Sequence, residues 1–206
     1  MFYAFLRGLV QFLLLIFNGN AHYHHLDRIP NREENYILVA PHRMALEPVY
    51  FAFATRPKQF IFMAKKELFK NPFGAWWIRH CGAFPVDRDH PSPKTLKYAV
   101  KQLKESDKSL IMFPTGSRHS SELKGGVAVI GKMAKVRLVP AVYQGPQNMK
   151  GIFKRQRVDV NFGEPIDISD IKKANPEGIE EINRRMEEAF VALDKEINPD
   201  YHYQAK

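Results

Sequence analysis

From Tyr36 onward, short apolar runs alternate with stretches of helical spacing, and this alternation limits the possible folds more than any other feature of the chain. YILVA (36–40), QFIFMA (59–64), AFPV (83–86), SLIMF (109–113), RLVPAVY (137–143) and RVDVNF (157–162) read as strands. Between them, Pro48 to Thr55 and Gly125 to Lys135 read as helices, and Asn71 to His80 as an amphipathic turn or helix. Ser92 and Pro93 supply an N-cap and a first-turn proline for a helix whose Leu96, Ala99, Val100 and Leu103 share one face. Pro176 opens a last helix carrying Ile179, Ile182, Met186, Phe190 and Leu193 at helical spacing. Such a pattern predicts a single α/β domain over 21–206, with a mixed, partly parallel sheet flanked by helices. No internal repeat is visible, and no boundary inside 30–206 cuts off a second domain.

Residues 1–20 form a separate element. MFYAFLRGLVQFLLLIF (1–17) is apolar except at Arg7, Gly8 and Gln11, and it stops at Asn18-Gly19-Asn20. Sixteen helical residues span about 24 Å against roughly 30 Å of hydrocarbon, which argues against a simple crossing. The basic start is weak and no small-x-small site follows Phe17, which argues against a cleaved signal peptide. The segment reads as a membrane-associated helix lying in one leaflet with Arg7 at the headgroups. The alternative is an ordinary helix docked on the domain.

Composition matters here through charge. The 31 basic and 22 acidic residues give +9, which calls for a polyanionic partner: nucleic acid, phospholipid, a phosphorylated substrate or an acidic protein. Hydrophobic residues at 45% exclude a disordered chain, and a lone cysteine, Cys81, excludes an intrachain disulfide and any multi-cysteine metal site. The basic residues are dispersed, with no zinc finger, helix-turn-helix or aromatic RNA-binding motif, so nucleic acid is not an expected partner.

Three local patterns invite functional readings that other residues oppose. GVAVIGKM (126–133) spaces Gly126, Gly131 and Lys132 like a phosphate loop, but Met133 replaces the magnesium-binding hydroxyl and VAVI is apolar where a loop is required. His22, His24 and His25 have only Asp27 close by as a further ligand, so no metal is expected. Trp76 and Trp77 fit an interfacial anchor and core packing equally well.

His42 directly follows the first strand, where an open α/β sheet presents its ligand crevice. Glu47 comes five residues later, followed by Pro48. On a continuous helix the two side chains would be about 140° apart, so they meet only if the chain turns first. Pro48 favours that turn by keeping the preceding residue out of the helical region. A carboxylate on one imidazole nitrogen fixes the tautomer and leaves the other nitrogen to remove a proton from a hydroxyl. Lys65, Arg88 and Arg118 each follow a strand as well, and in such a sheet they converge on the same rim as a phosphate site.

These segments together resemble the glycerolipid acyltransferase family, in particular its bacterial members that acylate lysophosphatidic acid, over roughly residues 30–170. PHRMALE resembles the NHxxxxD motif through His42 and, at the acidic position, Glu47. Gly82, Phe84 and Arg88 match GxxFxxR, and FPTGSR resembles FPEGTR with Gly116 and Arg118 retained. VPAV with Pro140, the AKKEL segment with Lys65, and NFGEPI match later family signatures. The resemblance implies transfer of a fatty acyl group from a thioester to the sn-2 hydroxyl of lysophosphatidic acid, giving phosphatidic acid for phospholipid biosynthesis. His42 would be the general base, held by Glu47. Lys65, Gly82, Arg88, Gly116 and Arg118 would bind substrate, Gly116 with an amide turned to phosphate or oxyanion. It implies no cofactor or metal; acyl-carrier protein or coenzyme A would bring the acyl group. It also implies an anionic membrane surface as partner and a peripheral or monotopic position on the cytoplasmic face of the cell membrane. Two positions depart from the pattern, Glu47 for Asp and Thr115 for Glu, and the loop HRMALE places no aromatic beside His42. They motivate the rival readings: an impaired relative that only binds lipid or carrier, or an acyltransferase for another lysophospholipid.

Overall fold

Ile37, Leu38 and Val39 are all completely buried, as an unbroken apolar run requires when both faces of its strand are covered. They form β2 (Ile37–Val39), the middle strand of a seven-stranded sheet in the computed structural model, which describes residues 2–87, 92–116, 122–201 and 203, with side chains from Gly8 onward. The other strands are β1 (His22–His24), β3 (Gln59–Lys65), β4 (Ala83–Val86), β5 (Lys108–Met112), β6 (Leu138–Gln144) and β7 (Asp159–Phe162). Their order is β1-β7-β6-β2-β5-β3-β4. Neighbours are parallel except for the antiparallel pair β6 and β7.

Alternation along β2 sorts the core into two layers. Ile37 and Val39 pack with α4 (Pro93–Glu105), α5 (Gly126–Ala134) and α7 (Pro176–Ile197), through Val100 and Leu103, Ile130, and Met186 and Phe190. Leu38 faces the opposite layer, built from α1 (Phe2–Asn18), α2 (Glu47–Ala54) and α6 (Met149–Phe153), with Leu14, Phe51 and Ile152. The remaining helix, α3 (Pro72–His80), joins β3 to β4. Helix α4 starts as its sequence predicts: the Ser92 hydroxyl accepts from Thr95 N at 3.3 Å, Pro93 follows, and Ala99, Val100 and Leu103 are buried. Burying a leucine such as Leu103 contributes about 1.5–3 kcal/mol, more than the cap.

Pro140 occupies an interior strand, where its missing N–H would ordinarily cost a ladder hydrogen bond. The ladder is broken at that place. Ala141 pairs with Phe162 and Leu138 bridges Ile166, so the 163–165 loop bulges past Pro140, whose carbonyl accepts from Gly163 N at 2.8 Å. The near phosphate loop at 126–133 lies in α5 with Val127, Ala128 and Ile130 in the core, and Lys132 Nζ donates to Ile168 O at 2.9 Å. Strand β1 and the five-residue α6 were not anticipated. Both are too short for a periodic signal, and β1 exists because it lies in register along β7.

Candidate active site

Strands β2, β3, β5 and β6 run parallel, so their carboxyl ends share one rim. Beyond Val39 the chain leaves the sheet and passes through Ala40, Pro41 and His42 without regular structure, entering α2 at Glu47. The chain does turn before the helix, but one residue earlier than Pro48 predicts: Leu46 is the cap and Glu47 is itself the first residue of α2, with the proline behind it. His42 Nδ1 lies 3.1 Å from Glu47 Oε2. Glu47 Oε1 accepts from Arg43 N at 2.7 Å and Met44 N at 2.8 Å. The longer carboxylate therefore gives one oxygen to the imidazole and the other to the backbone of its own turn. It is completely buried at a helix N-terminus, a place that favours negative charge.

An aromatic partner for His42 comes from another strand. Phe113, just past β5, stacks on the imidazole with ring centroids 4.2 Å apart and planes 27° apart. The next turn returns on itself: Gly116 N donates to Phe113 O at 2.9 Å, and its φ of 70° is a left-handed conformation that suits glycine. That amide is taken up within the turn itself. Thr115, where the family pattern has Glu, is buried beside it.

Arg43 was not singled out by sequence reasoning. Its guanidinium is buried, with Nη1 donating to Tyr143 O and Asp194 Oδ1, each at 2.8 Å, and Nη2 donating to Asp194 Oδ2. Its Cζ sits 5.0 Å and 5.2 Å from the ring centroids of Tyr201 and Tyr203. Gln144 Nε2 donates to Asp194 Oδ1 at 3.0 Å, completing the cluster. Burial alone would lower the Arg43 pKa, but hydrogen bonds and charge from Asp194 outweigh it and hold it above its ordinary value. The C-terminal helix and the tail after it thus grip the residue next to His42.

The remaining predicted residues separate by place. Lys65 ends β3 at the rim, opposite Val86 of β4, with its side chain half exposed and Nζ 3.8 Å from Glu67 Oε2. Gly82 precedes β4 at the end away from the rim, so it does not join this group. Its φ is 92°, and a Cβ there would lie 2.3 Å from Phe60 O; the glycine lets two backbones approach. Arg88 and Arg118 lie outside the described residues, as does the side chain of Arg7. His24 Nε2 meets Asp159 Oδ1 at 2.9 Å and His25 Nδ1 meets Asn161 Oδ1 at 2.8 Å, so these histidines fasten the sheet edge. Among the described residues no cluster of three or more His, Cys, Asp and Glu could hold a metal. Trp76 and Trp77 are both on the surface of α3 rather than in the core.

The family model described as Acyltransferase matches residues 20–144, which hold the histidine-carboxylate pair and the central strands of the sheet. The chain belongs to that family. It is 64% identical over 196 residues to the 1-acyl-sn-glycerol-3-phosphate acyltransferase of Streptococcus pneumoniae (strain ATCC BAA-255 / R6), a match covering 95% of this chain and 74% of that one. The protein of the same description from Bacillus subtilis (strain 168) is 32% identical over 190 residues, 89% of this chain and 94% of the relative. The fold matches the crystal structure of the 1-acyl-sn-glycerophosphate (LPA) acyltransferase PlsC from Thermotoga maritima with a TM-score of 0.67 at 20% identity, covering 96% of this chain and 83% of that one.

Proposed function

We propose that this enzyme acylates the sn-2 hydroxyl of lysophosphatidic acid from an acyl thioester, giving phosphatidic acid. The observation that carries this reading is the contact between His42 Nδ1 and the buried Glu47 carboxylate, in a chain 64% identical to a 1-acyl-sn-glycerol-3-phosphate acyltransferase. With Nδ1 directed at Glu47, Nε2 takes the proton from the hydroxyl as its oxygen bonds to the thioester carbonyl carbon. The carbon–sulfur bond then breaks and the departing sulfur recovers the proton from the imidazolium. Glu47 stabilises that cation and keeps the ring oriented. No covalent acyl-enzyme and no metal is needed. Lys65, with Arg88 and Arg118, holds the phosphate. Coenzyme A or an acyl-carrier protein supplies the acyl chain.

The enzyme works on the cytoplasmic face of the cell membrane as a peripheral or monotopic protein. Phe12, Leu13, Leu15, Ile16 and Phe17 of α1 and Met149 and Phe153 of α6 are exposed, and Phe17 packs edge-on to Phe153 at 5.4 Å. Exposed Lys150, Lys154, Arg155 and Arg157 lie beside them, the combination suited to an anionic lipid surface. Among the described residues no helix is long and apolar enough to cross a membrane.

The test is to mix purified protein with lysophosphatidic acid and an acyl thioester and to follow phosphatidic acid. The wild type should form it, and His42→Ala should lower turnover by about 10²–10⁴ with an unchanged melting transition. A wild type that forms no phosphatidic acid with either donor would overturn the reading, and normal turnover in His42→Ala would remove the base assignment.

A further inference from the structure

Helix α4 carries Lys94, Lys97, Lys101 and Lys104 on its exposed side. At about 100° per residue these four fall within roughly 80° of arc, and from first to last they extend about 15 Å. Among the described residues the stripe has a single ion pair, between Lys101 Nζ and Glu105 Oε2 at 3.7 Å. The arginines of α7, in the same layer, are paired instead: Arg184 donates to Glu181 and Glu188, and Arg185 to Glu181 and Asp170. Among the described residues the stripe is therefore a concentration of positive charge that the protein's own acids neutralise only at Lys101.

Its location decides what it suits. Helix α4 follows β4, whose carboxyl end lies beside Lys65 at the rim, so the stripe begins near the reaction site and runs away from it. It lies in the layer opposite α1 and α6, which carry the exposed apolar residues of the proposed membrane face. Of the large apolar side chains of α4 only Tyr98 is exposed, so the stripe has no lipid-inserting residues of its own. Charge without grease, turned from the membrane side, fits an acidic protein surface. A coenzyme A thioester carries its phosphates at the far end of its pantetheine arm and is the competing occupant, which the comparison of the two donors below separates.

We infer that the Lys94–Lys97–Lys101–Lys104 face of α4 docks an acidic protein that presents the acyl chain as a thioester to the rim. This rests on the acyl-transfer reading above, and the two fail separately. Lys94, Lys97, Lys101 and Lys104 are changed together to Glu, and initial rates are measured with palmitoyl-coenzyme A and with a palmitoylated acidic acyl-carrier protein. Carrier binding is followed in parallel by surface plasmon resonance with salt raised from 50 to 300 mM.

Docking on α4 raises KM for the carrier-bound donor at least tenfold, leaves kcat and the coenzyme A kinetics within about twofold, and makes wild-type carrier binding salt-sensitive in a way the variant has lost. Unchanged carrier kinetics and binding in the variant overturn the inference, as does an equal rise in KM for both donors or a wild type that neither binds nor uses the carrier. Loss of binding to phosphatidylglycerol vesicles with carrier kinetics intact also overturns it, by making the stripe a lipid contact. If the wild type turns over neither donor, the acyl-transfer reading fails, while salt-sensitive carrier binding through the stripe would still stand.

Discussion

The turn from His42 to Glu47 is held from two directions that differ in almost every respect. From within, the completely buried Glu47 reaches back five residues to His42 and four to the Arg43 amide. From outside, Asp194 comes from 151 residues away to bind Arg43, assisted by Tyr201 and Tyr203, which follow the last helix. The inner support sets which way the imidazole faces. The outer support sets where the turn sits on the rim, through Tyr143 and Gln144 of β6. If the division is real, damage to the first should appear in chemistry and damage to the second mainly in stability.

Glu47→Gln tests it with the largest expected effect. Glutamine can still accept from the Arg43 and Met44 amides, so the turn should survive. Its amide nitrogen then donates toward His42 Nδ1 and moves the ring proton to Nε2, where the proposed base needs a lone pair. Turnover should fall about 10²–10⁴-fold, while the urea midpoint moves by less than about 1 kcal/mol of equivalent stability. A variant unfolded at 25 °C, or one of wild-type activity, would erase the distinction between the supports.

The same contrast accounts for what could be read in advance. Glu47 was legible because the spacing to His42 and the following Pro48 are local, and local geometry follows from chain stereochemistry. Helix α4 was legible for the same reason, since Ser92, Pro93 and the Ala99-Val100-Leu103 face act within one segment. Asp194, Phe113 and the order of the strands depend on how distant segments meet, and no spacing records that. Gly82 is a different case: its motif position points to substrate, and what the fold adds is a backbone reason for glycine there, its φ and the nearness of Phe60 O.

Asp194→Asn should produce the next largest effect, of a different kind. Arg43 would remain almost fully buried without its carboxylate, a loss of about 3 kcal/mol, the low end for a broken buried pair because asparagine still offers one carbonyl. Urea unfolding should show a lower midpoint at unchanged slope. Turnover of the folded fraction should fall by no more than about tenfold, since the Glu47 contact to His42 persists. The double variant Arg43→Met, Asp194→Leu should recover stability to within about 1 kcal/mol of wild type, because apolar replacement removes the stranded charge together with its partner. Failure of that recovery would mean that the pair is tied into the turn by more than its own desolvation balance.

Tyr201→Ala probes the outermost contact and should do least. A cation over an aromatic face contributes about 0.5–1 kcal/mol at exposed sites and more when desolvated, and Tyr203 would still cover the other approach to Arg43. The expected loss is about 1 kcal/mol in the urea midpoint with turnover within twofold. Tyr201→Phe separates ring from hydroxyl. Burial holds the phenol pKa above its usual value against the lowering effect of Arg43, so the neutral ring faces the guanidinium at working pH, and phenylalanine should reproduce the wild type. If Tyr201→Ala instead cost as much activity as Glu47→Gln, the tail would belong to the chemistry and not to its scaffold, and the two supports would have to be redrawn as one.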